Sequence, residues 1–132
     1  MPIKNFLDFL PNNYRHEKSF FIQNNLSDFE ELSKLSDLDI NEIQRNSPFC
    51  TLNNLKKIRA IAIFKKEINI SPHDAYLILH SGVGSIKTLS QLTPYELETK
   101  IGRLERSLRV KSETNITLAL LKKWIKRAKQ IS

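Results

Sequence analysis

The sequence predicts an all-α fold assembled from two similar halves, on three observations. No alternating strand pattern bounded by turn residues occurs in its 132 residues, whereas apolar side chains recur at helical spacing from Tyr14 onward. Residues 20–35 align without a gap against residues 77–92, and two further blocks match in the same order, which marks an internal repeat. Each half also ends in a long segment with apolar residues on one face and cations on the others. The expected packing is a compact helical bundle with a pseudo-two-fold relation between the halves.

Residues 1–13 form a short apolar strap, in which Phe6, Leu7, Phe9 and Leu10 are stopped by Pro11 and the turn residues Asn12 and Asn13. Such a cluster needs a surface to cover; packing on its own domain is the preferred reading and docking onto a partner the alternative. The first unit spans residues 14–69. Its hairpin joins two helices through Asn25-Leu26-Ser27, with Asn25 suited to the left-handed region and Ser27 placed to form a capping box with Glu30. After three residues without counterpart in the other half, Asp39-Ile40-Asn41-Glu42 reads as a second capping box opening a short helix. A long helix over residues 51–67 then buries Leu52, Leu55, Ile58, Ala62 and Ile61, and turns Lys56, Lys57, Arg59, Lys65 and Lys66 mostly outward.

The second unit, residues 70–132, repeats this plan with stronger signals. Ser71 as N-cap, Pro72 at the first helical position and Asp74 at the third start a helix whose apolar side is Ala75, Leu77, Ile78 and Leu79. Gly82 takes the left-handed turn that ends it, and Ser85 caps a second helix carrying Lys87 and Leu89. Thr93 and Glu96 frame a capping box for a short third helix. Twelve additional residues, around 103–115, precede a long helix over 115–130, with Leu118, Leu121, Trp124, Ile125 and Ala128 inward and Lys122, Lys123, Lys126, Arg127 and Lys129 outward. Alanine at Gly82 or Gly84 is expected to damage the fold more than any ligand contact, because a positive φ penalises it.

Charge is unevenly distributed. Residues 1–50 carry five Lys/Arg against eight Asp/Glu, a net of −3, and residues 51–132 carry sixteen against six, a net of +10. The basic part favours phosphate backbones, anionic surfaces or acidic proteins. No apolar run approaches the roughly 18 to 20 residues that cross a bilayer, and the first ten residues lack the apolar core and cleavage site of a secretory signal. The expectation is a protein without a membrane span, not secreted, in the cytoplasm or a plastid stroma. The single cysteine, Cys50, suits a reducing compartment and reads as a small buried hydrophobe.

Ala75 and Ile78, the run His80-Ser81-Gly82-Val83-Gly84-Ser85-Ile86-Lys87-Thr88-Leu89, and the capped helix from Pro94 to Leu97 resemble helix-hairpin-helix domains. They are similar in particular to the small domain of unknown function in uncharacterised cyanobacterial and plastid-encoded proteins, and the C-terminal domain of the bacterial RNA polymerase alpha subunit has a similar arrangement. The resemblance covers most of residues 14–131 and is strongest over 70–104. It implies tandem helix-hairpin-helix units, with Gly82, Val83, Gly84 and the Ser85 and Lys87 side chains facing a phosphate backbone or a partner. Two departures separate this chain from the phosphate-gripping members. No proline precedes Gly82, and the first hairpin is followed by Asp28, Glu30 and Glu31, which repel phosphate. Members without the intact signature often serve as protein-docking modules, including an extrinsic subunit of photosystem II.

Motifs of catalysis are absent: there is no phosphate-binding loop signature, no His-Glu-x-x-His and no Cys/His pair at metal spacing. His73 and His80 lie seven apart, which is not a metal site, and the acidic pairs Glu30 with Glu31 and Glu96 with Glu98 read as caps and solvated faces. Trp124 and Tyr76 could stack bases, but packing is the preferred role at these positions. No enzyme activity, cofactor, metal or small-molecule substrate is expected. The favoured reading is a scaffold that docks onto a larger, acidic, photosynthetic or transcriptional protein complex. Its basic surface would comprise Lys56, Lys57, Arg103, Arg106, Arg109, Lys122, Lys123, Lys126 and Arg127. The alternative is non-sequence-specific binding of nucleic acid through its phosphates.

Overall fold

Local capping groups set where the helices begin, and every regular element among the described residues is helical. The computed structural model describes the backbone of residues 6–26, 28–108 and 116–131, with their side chains except those of residues 6, 9, 107 and 108. Two 3-10 turns, Phe6–Phe9 and Asn12–Tyr14, precede α1 (Arg15–Gln23), α2 (Phe29–Ser33), α3 (Asp37–Asn46) and α4 (Leu52–Ile68). There follow α5 (Pro72–His80), α6 (Ile86–Ser90), α7 (Pro94–Leu108) and α8 (Leu118–Ile131). The chain divides into two compact units, Met1–Ile63 and Phe64–Ser132, with the division inside α4.

In the first unit α1 ends in a Schellman turn. Asn25 adopts φ 57°, the Leu26 N–H donates to the Phe21 carbonyl at 2.8 Å, and the Asn25 N–H donates to that of Ile22 at 3.3 Å. Carbonyls that the helix end would otherwise orphan are thereby satisfied. Asp28 caps α2 by accepting the Glu30 N–H at 3.3 Å, so the cap falls one residue beyond the expected Ser27, which lies outside the described residues. The next cap also moves. The Ser36 hydroxyl accepts the Asp39 N–H and the Asp39 carboxylate accepts the Ser36 N–H, each at 3.0 Å. Asp39 is therefore the third residue of α3 and not its cap; the pair satisfies two amides at once, which a cap at Asp39 would leave open. Helices as short as α2 and α3 do not persist alone, and the fully buried Leu32 and Ile40 hold them to the unit.

The long helix α4 is capped by Thr51, whose Oγ1 accepts the Asn54 N–H at 3.1 Å. Leu55, Ile58 and Ala62 are buried as the periodicity predicts, together with Ile61, whereas Leu52 in the first turn is exposed. Arg59, expected on an outward face, reaches back within its unit to the Asp37 carboxylate at 2.8 Å and the Leu35 carbonyl at 3.2 Å.

The second unit follows the same local rules. Ser71 caps α5 by accepting the Asp74 N–H at 3.1 Å, and Pro72 occupies the first position, where its missing N–H is no loss. Gly82 adopts φ 106°, and the N–H groups of Val83 and Gly82 donate to the carbonyls of Ile78 and Leu79 at 3.3 and 3.2 Å. Ser85 caps α6 through the Thr88 N–H at 3.1 Å. Thr93 and Glu96 exchange bonds of 3.1 and 3.2 Å at the start of α7. This helix is longer than expected: it runs through Gly102 to Leu108, with Leu97 and Ile101 buried. The Arg106 guanidinium lies 3.3 Å from where a β-carbon on Gly102 would stand, over backbone that glycine leaves bare. Arg103 and Arg106 therefore sit on a helix and not in a connection. Thr117 caps α8 through the Leu120 N–H at 3.2 Å, later than the start at 115 that the pattern suggests. α8 packs against α6 and α7, and α7 against α5.

The two units run in step. α1 and α5, α2 and α6, and the capping residues Ser36 and Thr93 are each 57 residues apart. So are the buried acids Glu17 and Asp74 and the buried pairs Leu32 with Leu89 and Ile40 with Leu97. The capping Thr51 and Thr117 are 66 apart, so a single difference of nine residues falls between the third cap and the long helix. The three extra residues expected after the first hairpin are not there, because the cap is Ser36.

Candidate docking surface

The Gly82 hairpin spends much of its turn on its own fold. Val83, expected to face a ligand, is fully buried, because in a Schellman turn this position packs back on the helix residue whose carbonyl it caps, here the buried Ile78. Its N–H and that of Gly82 are already donated to α5. Gly82, Gly84, Ser85 and Lys87 are exposed, and the Ser85 hydroxyl is engaged with Thr88 through both the backbone N–H and, at 2.9 Å, the side-chain hydroxyl. Of the five hairpin residues, Lys87 alone adds a charge. It lines a groove of about 590 Å³ with Ile86, Ser90, Gln91 and Ile131, which brings α6 beside the C-terminal end of α8.

α8 is the charged feature that the fold leaves outward. Leu121, Trp124, Ile125 and Ala128 are buried, and Lys122, Lys123, Lys126, Arg127 and Lys129 are exposed. At about 100° per residue the five cations occupy an arc of roughly 160° opposite the apolar stripe. The helix contains no acidic residue, so nothing on it neutralises them. Arg127 is held in place by its Nε, which donates to the Glu67 carbonyl at 3.1 Å. That bond covers a carbonyl in the last turn of α4, where a cation also complements the helix dipole. Beside it lies a second groove of about 490 Å³, lined by Ile68, Asn69, Leu120, Trp124, Lys123, Lys126, Arg127 and Gln130.

The remaining basic residues are distributed elsewhere. Lys56 is exposed and Lys57 half-buried on α4, Arg103 and Arg106 are exposed on α7, and Arg109 lies outside the described residues. The N-terminal strap is tied to its own unit: Leu7 is fully buried and cannot dock, and Asp8 pairs with Lys18 of α1 at 3.4 Å. Leu10 is half-buried and lines a groove of about 420 Å³ along α1 with Pro11, Arg15 and Ile22. The side chains of Phe6 and Phe9 lie outside the described ones.

Glu17 is the residue that sequence reasoning missed. It is 1 % exposed, and its carboxylate accepts the Thr51 N–H and the Asn54 side-chain amide at the start of α4. A signal existed in its 57-residue spacing from Asp74, the other buried acid among the described residues. Nearby, burial and then the Glu17 charge push the Cys50 thiol up from its ordinary pKa, and the thiol donates to the His16 carbonyl at 3.7 Å; Cys50 is the buried hydrophobe expected. Burial likewise raises the Tyr76 phenol, whose ring lies 4.1 Å from that of His80. Among the described residues no group of three His, Cys, Asp or Glu side chains is placed to hold a metal ion. No helix among them is long and apolar enough to cross a membrane.

A family model described as a domain of unknown function (DUF4332) matches residues 11–131. No curated protein and no solved structure matches the chain.

Proposed function

The chain belongs to this family of domains of unknown function, so its role has to be argued from its surface, and we propose that it is a non-catalytic docking protein. It seats α8 on an acidic surface of a larger protein complex. The observation that carries this is the composition of α8, whose outward side bears five cations and no acid while its apolar side is consumed by its own unit. Cations so arranged raise association rates with acidic partners and select against basic ones. We further read the two units as tandem helix-hairpin-helix copies related by a duplication. The shared Schellman turns, caps and buried acids at 57-residue spacing support the duplication. The plastid or cyanobacterial setting rests on the resemblance alone.

Nucleic-acid binding is the weaker reading. Two of the turn amides are donated internally and Val83 is buried, which leaves the hairpin little to offer a phosphate backbone. Affinity purification of the full chain from its native source, with and without nuclease, tests the choice. A stoichiometric protein complex that survives nuclease, dissociates with salt, and is lost in the Lys122→Glu/Lys126→Glu variant is expected. A complex that disappears with nuclease would overturn the docking role.

A further inference from the structure

The groove between α8 and the end of α4 combines two chemistries that a simple charged surface does not need. Its wall carries Lys123, Lys126 and Arg127, and its apolar part is Ile68, Leu120 and Trp124. Among the described residues that line it there is no acid. Ile68 and Trp124 are almost wholly covered and Leu120 half-covered, so the apolar part is a floor and not a protruding patch. Arg127 is oriented by its bond to the Glu67 carbonyl, which uses one of its five N–H donors and fixes the guanidinium at the rim.

We infer that this groove receives an acidic peptide segment of a partner protein through a single large apolar side chain flanked by carboxylates. The inference rests on the docking role proposed above and specifies its contact. The volume, about 490 Å³, is at the scale of small-ligand pockets and suits one aromatic or aliphatic anchor with its flanking backbone. The cations on the rim match carboxylates on either side of that anchor, and a partner with lysines at those places would be repelled. A phosphate backbone would satisfy the cations and leave the floor empty, which is why a peptide fits better than a nucleic acid.

Trp124 is the one tryptophan of the chain and lines the groove, so its fluorescence reports occupancy directly. The full chain is titrated with three probes at low salt: a short glutamate-rich peptide with one central phenylalanine, a polyglutamate peptide of equal length, and an oligothymidylate. The anchored peptide is expected to shift the emission and to bind at least about tenfold more tightly than polyglutamate, the gain of one buried anchor. Lys123→Glu should weaken it by a similar factor, whereas Lys129→Glu, an equal charge change on the same helix outside the groove, should weaken it far less; thermal unfolding checks that both variants stay folded. Equal binding of polyglutamate and the anchored peptide would overturn the anchored groove and leave acidic docking standing. Equal sensitivity to Lys123→Glu and Lys129→Glu would overturn it too, as would tighter binding of the oligothymidylate. No binding of either peptide would overturn both this inference and the docking role.

Discussion

The Glu17 carboxylate on α1 accepts the backbone N–H of Thr51 at 2.9 Å with one oxygen and the Asn54 side-chain amide at 3.2 Å with the other. A negative group thus closes the start of a 17-residue helix, where the amides are otherwise orphaned and the dipole is positive. Glu17→Ala removes the charge and leaves the part-buried Thr51 N–H without its acceptor, and is expected to cost about 1 to 3 kcal/mol of unfolding free energy. Glu17→Gln keeps one acceptor and should cost about half as much. Urea unfolding of the three proteins measures this; a loss under about 0.5 kcal/mol for Glu17→Ala would mean that Thr51 alone caps the helix.

The two hairpin glycines separate into unequal roles. Gly82 sits at φ 106°, so Gly82→Ala is expected to destabilise by about 1 to 2 kcal/mol through backbone strain. Gly84 has no positive φ, and a β-carbon there would meet open space; Gly84→Ala should be close to neutral, against the expectation that both glycines serve the backbone alike. Thermal denaturation of the two variants is the measurement, and equal losses would contradict the assignment.

The Asp39 carboxyl is held below its ordinary pKa, chiefly by the Ser36 backbone N–H and then by the Ser36 hydroxyl. A lowered pKa in the folded state means that the group stabilises the fold above the ordinary aspartate range, near 3.9, and that this contribution is lost as pH falls through the lower folded value. Ser36→Ala removes the hydroxyl, so the Asp39 pKa should rise toward ordinary, and loss of the cap should cost about 0.5 to 2 kcal/mol at neutral pH. Carboxyl-resolved NMR titration of both proteins checks the shift; an unchanged Asp39 pKa in Ser36→Ala would show that the backbone N–H acts alone.

Much of the helical plan was legible because its signals are local. The caps at Ser71, Ser85 and Thr93 each join groups three residues apart, within reach of a sequence pattern. The cap at Ser36 was misplaced by three residues for the same reason: Ser36 with Asp39 and Asp39 with Glu42 are both plausible boxes, and local chemistry does not rank them. The length of α7 was hidden because the residues around 103–115 have no counterpart in the first half, so the repeat assigned them to a connection, whereas the helix runs through Gly102 to Leu108.

For the candidate docking surface, charge and helical period were enough to put Lys122, Lys123, Lys126 and Arg127 outward, because an amphipathic helix of such composition has one stable way to face a core. The hydrophobic order of the chain likewise determined that every regular element among the described residues is helical, and its capping residues where several of the helices start. Tertiary structure alone decided that Val83 is core, that Leu7 is covered, that Glu17 reaches a helix start 34 residues away, and that Arg127 is anchored by the Glu67 carbonyl across 60 residues. The reason is range. Caps, turns and faces depend on neighbours within one or two helical turns, whereas burial and long-range hydrogen bonds depend on which elements meet, and that is settled by the packing of the whole unit.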